Sequence, residues 1–325
     1  MSDFRDTIKR INAWRSEHPD ATGVKINLYK PVEVEAVALA VRQHPELADA
    51  CRVECVMQSD SFHNTHLARA STVVKDGEHE LLFDFVRSMT KDTAIELRRR
   101  FPDPLTRPFL MGDMPDGPAR AVDTCLAAAE ELMASGSDCI KLEVTSPAVF
   151  DAIEALSSRG IPVIGHIGYT PQAGQDSNRR HGATLDDAHD FFAKARAIRE
   201  RGGCGMVMER VALEVADALS ANAPDDFYTC CIFTGRPRRC GQSLNIFDSI
   251  IKPDFKGVKF FPPTAKYTRE QFIDVYTPEI IAVHLAELMA LTARGEFPVA
   301  PKSPLSTADA EAIATINPWK ELALA

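Results

Sequence analysis

The chain has 325 residues, with 37 Lys and Arg against 46 Asp and Glu, so its formal net charge is −9. An apolar share of 45% and a charged share of 26% exclude a disordered or fibrous protein. The acidic balance, with a pI near 5.5, argues against nucleic acid or an anionic membrane as the main partner, because both ask for a basic face.

Short apolar runs alternate with longer helical ones along the chain. The predicted strands are Gly23–Tyr29, Arg52–Met57, Pro108–Gly112, Cys139–Leu142, Ile161–Gly165, Gly205–Met208, Phe227–Phe233 and Gly257–Phe261. Each is short and largely apolar, the pattern of strands buried on both faces of a parallel sheet. Pro31–Gln43 opens with a proline suited to a first helical turn and repeats Val, Ala and Leu at helical spacing. The stretch Phe62–Arg107 holds two strand-like pieces and a helical Glu80–Arg100. Ala119–Ser135 and Pro147–Ser158 follow as helices. Leu185–Arg201 opens on Asp186 and Asp187 and closes on Arg199, Arg201 and Gly202, which suits the helix dipole and a glycine stop. Glu214–Ala221 is a shorter helix, and Tyr267–Thr292 a long helical region with Pro278 as its break.

Eight such units predict an α/β fold, a (β/α)8 TIM barrel over residues 1–297 with an N-terminal helix. A C-terminal helical extension over residues 298–325 would serve as a lid or an oligomer contact. An open doubly wound sheet would carry a glycine-rich phosphate loop, and neither G-x-G-x-x-G nor a Walker loop occurs. No run approaches the ~20 apolar residues of a membrane span. The charged start, Met1 to Arg10, differs from a secretory leader, so a cytoplasmic protein is expected. Of the eight cysteines, most lie in or beside apolar stretches and none forms a CxxC pair, so reduced thiols are expected and structural zinc is not.

Barrel enzymes place their chemistry at the carboxyl ends of the strands. The polar residues there are Asp60 and Ser61 after the second run, Asp113 after the third, Lys141 and Glu143 in the fourth, His166 after the fifth and Glu209 after the sixth. Lys141 and Glu143, two apart on a strand, share one face. Carboxylates gathered in one mouth need protons or a cation, and a hard divalent ion such as Mg2+ answers that need. Such an ion suits a 2-oxo acid, whose carboxylate and keto oxygens chelate it while a remaining carboxylate removes a C3 proton. Taken singly, Asp60 also suits a helix cap, Asp113 a turn, Glu143 and Glu209 solvated strand ends, and His166 a core position.

The same residues lie in runs that resemble one family. Phe109-Leu-Met-Gly-Asp-Met-Pro, Ile140-Lys-Leu-Glu143, Gly160-Ile-Pro-Val-Ile-Gly-His-Ile-Gly-Tyr-Thr-Pro-Gln172 and Met206-Val-Met-Glu209 are similar in order and spacing to those of the ketopantoate hydroxymethyltransferase family. That family belongs to the phosphoenolpyruvate/pyruvate barrel superfamily. The match is clear from Pro108 to Glu209 and diffuse elsewhere. It implies Asp60 and Asp113 as Mg2+ ligands, with Glu143 linked to the metal, often through water. It implies that Ser61 and Lys141 hold the substrate, with His166 beside them and Glu209 as the acid/base group. It also implies 5,10-methylenetetrahydrofolate, or formaldehyde, as one-carbon donor, a 2-oxo acid such as 3-methyl-2-oxobutanoate as acceptor, and a homo-oligomer, a decamer in the family.

Several loops depart from the family pattern: the segment after Gln172, the Cys231–Arg236 run, Cys240 before Gly241-Gln242, and Asp116-Gly117 after the third strand. Arg236, Arg238 and Arg239 follow the seventh strand, where barrels often hold phosphate. They predict either a second anion site, with Arg236 binding substrate, or a solvated basic loop. The leading expectation is a metal-dependent hydroxymethyltransferase. The alternatives are a lyase of the phosphoenolpyruvate mutase/isocitrate lyase type with Cys240 as a loop acid, and a barrel that only binds or assembles.

Overall fold

The computed structural model describes residues 2–66, 72–75, 77–174, 179–246, 267 and 277–320. Eight parallel strands close into a barrel in sequence order, the eighth pairing with the first. They are β1 (Thr22–Leu28), β2 (Cys51–Gln58), β3 (Phe109–Asp113), β4 (Cys139–Glu143), β5 (Val163–Gly168), β6 (Gly205–Glu209), β7 (Tyr228–Ile232) and β8 (Gly241–Asn245). The first seven answer the predicted runs. The eighth does not: Gly257–Phe261 lies outside the described residues, and Gly241–Asn245 closes the barrel instead. Gly-Gln-Ser-Leu-Asn has no β-branched or aromatic residue, so strand propensity gave no sign of it, and its pairing with β1 and β7 supplies the order.

Among the described residues the α-helices are α1 (Ser2–Glu17), α2 (Val32–Gln43), α3 (Phe62–Thr65), α4 (His79–Arg100), α5 (Val122–Ala134), α6 (Ala148–Ser158), α7 (Leu185–Glu200), α8 (Leu213–Ala221), α9 (Pro278–Ala293) and α10 (Thr307–Thr315). No strand lies among the described residues between Phe62 and Arg107, so the two strand-like pieces expected there are absent from that part. Pro278 starts α9; residues 268–276 of the expected Tyr267–Thr292 helical region lie outside the described residues. Thr277 accepts from Ile280 N at its cap, and a proline in the first turn gives up an N–H that has no helical partner. None of the described helices is long and apolar enough to cross a membrane.

Two apolar layers hold the helices to the outer wall, one under α5 to α8 and one under α2, α4 and α9. A third core fills the barrel's foot. There α1 turns Phe4, Ile8 and Ile11, spaced for one helical face, onto inward residues such as Met57, Phe109, Met111, Val207 and Tyr228. Asn12 Nδ2 donates to the carbonyls of Asp225 and Phe227, just before and at the turn into β7. Arg15 meets Glu54 through two bonds, of 2.9 and 2.5 Å, with both side chains buried. Glu54 is the extra residue of a bulge, since Val24 pairs with Val53 and Lys25 with Cys55. Gly23 makes room for it: a Cβ there would lie 2.0 Å from the Glu54 carboxyl.

The described part of the C-terminal extension packs on the outer wall against α7 and α8. Ile313 is buried, Trp319 Nε1 donates to Leu219 O at 2.8 Å, and Arg196 donates to Pro318 O. All eight cysteines are free and buried, as expected of small apolar side chains, and burial pushes the Cys230 thiol up to about 12.

Candidate active site

Strand register builds the site. Asp113 on β3 stands beside Lys141 on β4, Glu143 stands beside His166 on β5, and Gly168 beside Glu209 on β6. Alternation along β4 sends Lys141 and Glu143 to the same inner face. Asp60 and Ser61 come from the turn after β2. Six of the residues singled out by sequence are therefore brought together at the carboxyl mouth, with Ser61 at their side.

Lys141 Nζ lies 2.7 Å from Asp113 Oδ1 and 3.8 Å from Glu143 Oε1. Burial opposes its charge, but Asp113, Glu143 and Asp60 overcome this and hold the ammonium above its ordinary range. Asp60 N donates to Asp113 Oδ2 at 3.3 Å. Burial, then the charge of Asp113, raises the Asp60 carboxyl to about 8. Burial raises Glu143 well above the carboxylate range as well, with Asp60 and Asp113 adding to the push and Lys141 opposing it. His166 sits between two acids, Nδ1 3.7 Å from Glu143 Oε1 and Nε2 3.4 Å from Glu209 Oε2. Burial, then Lys141, holds the imidazole well below its usual value, so it is neutral at pH 7. Glu209 keeps 14% of its side chain exposed to the mouth, and burial lifts its carboxyl to about 7.

Ser61 Oγ lies 2.7 Å from Ser59 Oγ and 3.1 Å from the Tyr29 hydroxyl at the end of β1. Gln172 ties the acids together. Its Nε2 donates to Asp60 Oδ2 at 2.8 Å and to Met114 O at 2.9 Å, and its backbone N donates to Glu143 Oε2 at 2.9 Å. Sequence reasoning gave Gln172 no role; the signal was its place at the end of the Gly160–Gln172 run. Lys25 and Asn27, inward on β1, were missed too, although a lysine inside an apolar strand was visible in Gly-Val-Lys-Ile-Asn. Gly168 is held at φ +98°, and a Cβ there would meet Glu209 O at 2.1 Å, so glycine lets β5 approach the strand that carries Glu209.

Among the described residues, no three His, Cys, Asp or Glu side chains gather as a complete metal cage. Asp60 and Asp113 do abut, and that pair needs a proton or a cation to be buried together.

The structure does not bring Arg236 to the mouth. Its guanidinium donates to Thr22 Oγ1 at 2.6 Å and to Asp20 O, at the start of β1. Residues 233–240 run from the top of β7 to the foot of β8 and carry the basic residues down with them. Arg238 pairs with Asp217 at 2.6 Å, and Arg239 with Asp225. Arg236 instead lines a cavity of 540 Å³ at the amino end, with Arg15, Thr22 and Pro298. Cys240 lines the same cavity and offers no thiol acid to the mouth. Asp116, one of the loop departures, is occupied by Arg120 at 2.8 Å and by Val74 N at 3.0 Å.

A family model described as ketopantoate hydroxymethyltransferase matches residues 38–250. The 3-methyl-2-oxobutanoate hydroxymethyltransferase of Desulfotalea psychrophila is 30% identical over 206 residues, covering 62% of this chain and 66% of that one. The enzyme of the same name from Ignicoccus hospitalis is 35% identical over 162 residues, covering 49% and 58%. The chain thus spans less than two thirds of the length of these relatives. Among solved structures, phosphoenolpyruvate phosphomutase from Streptomyces platensis subsp. rosaceus aligns with a TM-score of 0.44 at 11% identity, over 70% of this chain and 72% of that one.

Proposed function

The chain belongs to the ketopantoate hydroxymethyltransferase family, and from that membership we propose that it adds a one-carbon unit to the C3 enolate of a 2-oxo acid, 3-methyl-2-oxobutanoate or a related acid. The observation that carries this reading is Glu209, a carboxyl raised to about 7 at the end of β6, beside a neutral His166 and facing the Lys141, Asp113 and Glu143 array. A base for a weakly acidic C–H works best with a pKa near the working pH, and burial gives Glu209 that value.

Asp60 and Asp113 fit a divalent cation, Mg2+ or another, with Glu143 behind them. Mg2+ takes one or two carboxylates and fills its other positions with water and substrate, which agrees with a pair rather than a full cage. When bound, the cation would polarise the keto and carboxylate oxygens of the acid. Ser61 and Lys141 then orient the substrate, with Lys141 as a fixed ammonium. Gln172 keeps Asp60 and Glu143 in place. His166, neutral, stands 3.4 Å from Glu209 and shields that side of its carboxyl, and Glu209 takes the C3 proton. Burial of these groups keeps bulk water from quenching the enolate. The donor in this reading is 5,10-methylenetetrahydrofolate or formaldehyde. A homo-oligomer working in the cytoplasm accords with the same reading.

Incubation of the protein with 3-methyl-2-oxobutanoate, 5,10-methylenetetrahydrofolate and Mg2+, followed by mass spectrometry, tests the transfer. The expected product is the acid plus one CH2O unit. Enolate formation with no gain of CH2O from either donor would overturn the one-carbon assignment. Calorimetry tests the cation site separately: Asp60→Asn and Asp113→Asn are each expected to weaken Mg2+ binding by at least about tenfold, through loss of one of two anionic ligands. Unchanged affinity in both variants would remove these residues from the cation site.

A further inference from the structure

Lys25 is a buried cation that the chemistry above does not use. It points into the barrel from β1 and is 1% exposed. Its Nζ donates to Asn27 Oδ1 and approaches Met57 Sδ at 3.6 Å. Among the described residues, no carboxylate lies within ion-pair distance of it. Lys141, three strands round the barrel on β4, has Asp113 and Glu143; Lys25, among the described residues, has an amide oxygen and a thioether. A buried ammonium without a counter-ion is costly, because its lost hydration is not offset by an opposite charge.

The groups around Lys25 mark where it sits. Cys55 on β2, Asp113 on β3, Lys141 on β4 and Cys230 on β7 are its charged or titratable neighbours, and His166 on β5 and Glu209 on β6 feel its charge in turn. Its Nζ reaches Asn27, two residues nearer the mouth, so the side chain runs toward the site rather than toward the foot. Burial holds the amine below the ordinary lysine range.

Asn27 completes the arrangement. Its Oδ1 accepts from Lys25 and, at 3.3 Å, from Ser243 Oγ on β8. A lysine can only donate, so the amide oxygen must face it, and the amide NH2 is turned away. Among the described residues, nothing accepts from that NH2. The ammonium and the amide NH2, the latter set by the Ser243 hydroxyl, thus form a donor-rich floor on the β1/β8 side, with β1 next to the strand that leads to Asp60. Donor groups with a buried positive charge recognise a carboxylate.

We propose that Lys25 and Asn27, with Ser243 holding the Asn27 amide in place, form a second carboxylate site at the floor of the mouth, and that the acceptor is a 2-oxo acid bearing a distal carboxylate. This rests on the proposed 2-oxo acid chemistry and narrows its substrate class.

Calorimetry in Mg2+ with 2-oxoglutarate and 2-oxopentanoate tests it, since the two differ in a distal carboxylate against a methyl group. Wild type is expected to bind the dicarboxylate at least about tenfold more tightly. Lys25→Met and Lys25→Gln are each expected to weaken the dicarboxylate by about 30-fold and the monocarboxylate by less than about threefold, as loss of one buried charge-assisted bond would. Circular dichroism and urea unfolding confirm that the variants fold. Equal affinity of wild type for both acids, or equal weakening of both by the variants, would overturn the site and leave Lys25 as a counter-charge to the mouth. Measuring C3 proton exchange on the same two acids separates the claims. A Lys25-dependent preference without exchange defeats the enolate reading and keeps the floor site; exchange without a preference does the reverse.

Discussion

Replacing Glu209 with glutamine lowers turnover by about 10²- to 10⁴-fold, the range for loss of a positioned general base, while leaving the unfolding midpoint near that of wild type. The amide keeps the shape and the contact with His166 but cannot take a proton. The wild-type pH profile carries the same claim. Burial raises the carboxyl to about 7, and Lys141, Arg210 and Lys25 draw it back part of the way. Only the ionised form is a base. With saturating divalent cation, which would hold Asp60 ionised, the logarithm of the rate therefore climbs with unit slope below about 7 and flattens above it. His166, already neutral, adds no limb near that pH. A rate that falls as pH rises through 7 would instead make Glu209 an acid in the slow step. Stopped assays of the transfer across pH 5.5 to about 9 read both the slope and the loss.

Breaking the Arg15–Glu54 pair costs about 3–5 kcal/mol of folding stability, whichever partner is removed. Both side chains are buried, and Glu54 receives two bonds from one guanidinium. Burial disfavours the Arg15 charge, yet Glu54 more than restores it. Arg15→Met leaves a buried carboxylate without its cation. Glu54→Leu leaves a buried guanidinium with no anion, held by the Asn12 amide oxygen and the carbonyls of Thr229 and Arg239. The double variant removes both charges and is expected to recover to within about 1–2 kcal/mol of wild type, because an apolar pair no longer has desolvation to offset. Urea unfolding of the four proteins gives the coupling directly. Additive losses in the double variant would show that the two charges act independently and contradict the pairing.

The sequence made seven of the eight strands legible, because inward and outward faces of a parallel barrel are both apolar and leave runs such as Ile-Pro-Val-Ile-Gly. It missed β8, whose polar residues pair only because β1 and β7 stand on either side. The site was legible for a related reason. Strand ends are where an apolar run meets its first charge, so Asp113, Glu143, His166 and Glu209 stood out in the chain. Gln172 did not, since its contacts with Asp60 and Glu143 cross 112 and 29 positions of sequence. Arg236 misled because a loop after a strand is read as belonging to the mouth. The missing helix between β7 and β8 sends that loop to the foot, among the described residues 233–240. Lys25 was in plain view, but its lack of a counter-ion among the described residues is a property of the folded barrel.

Proton exchange at C3 is the most direct measurement of the central claim. The protein is incubated in D2O with Mg2+ and a panel of 2-oxo acids, without a one-carbon donor, and the C3 signals are followed by NMR. The account expects exchange for at least one acid, dependent on the cation and lost in Glu209→Gln. No exchange for any acid with the cation present, or exchange undiminished in Glu209→Gln, would contradict an enolate formed by this carboxylate.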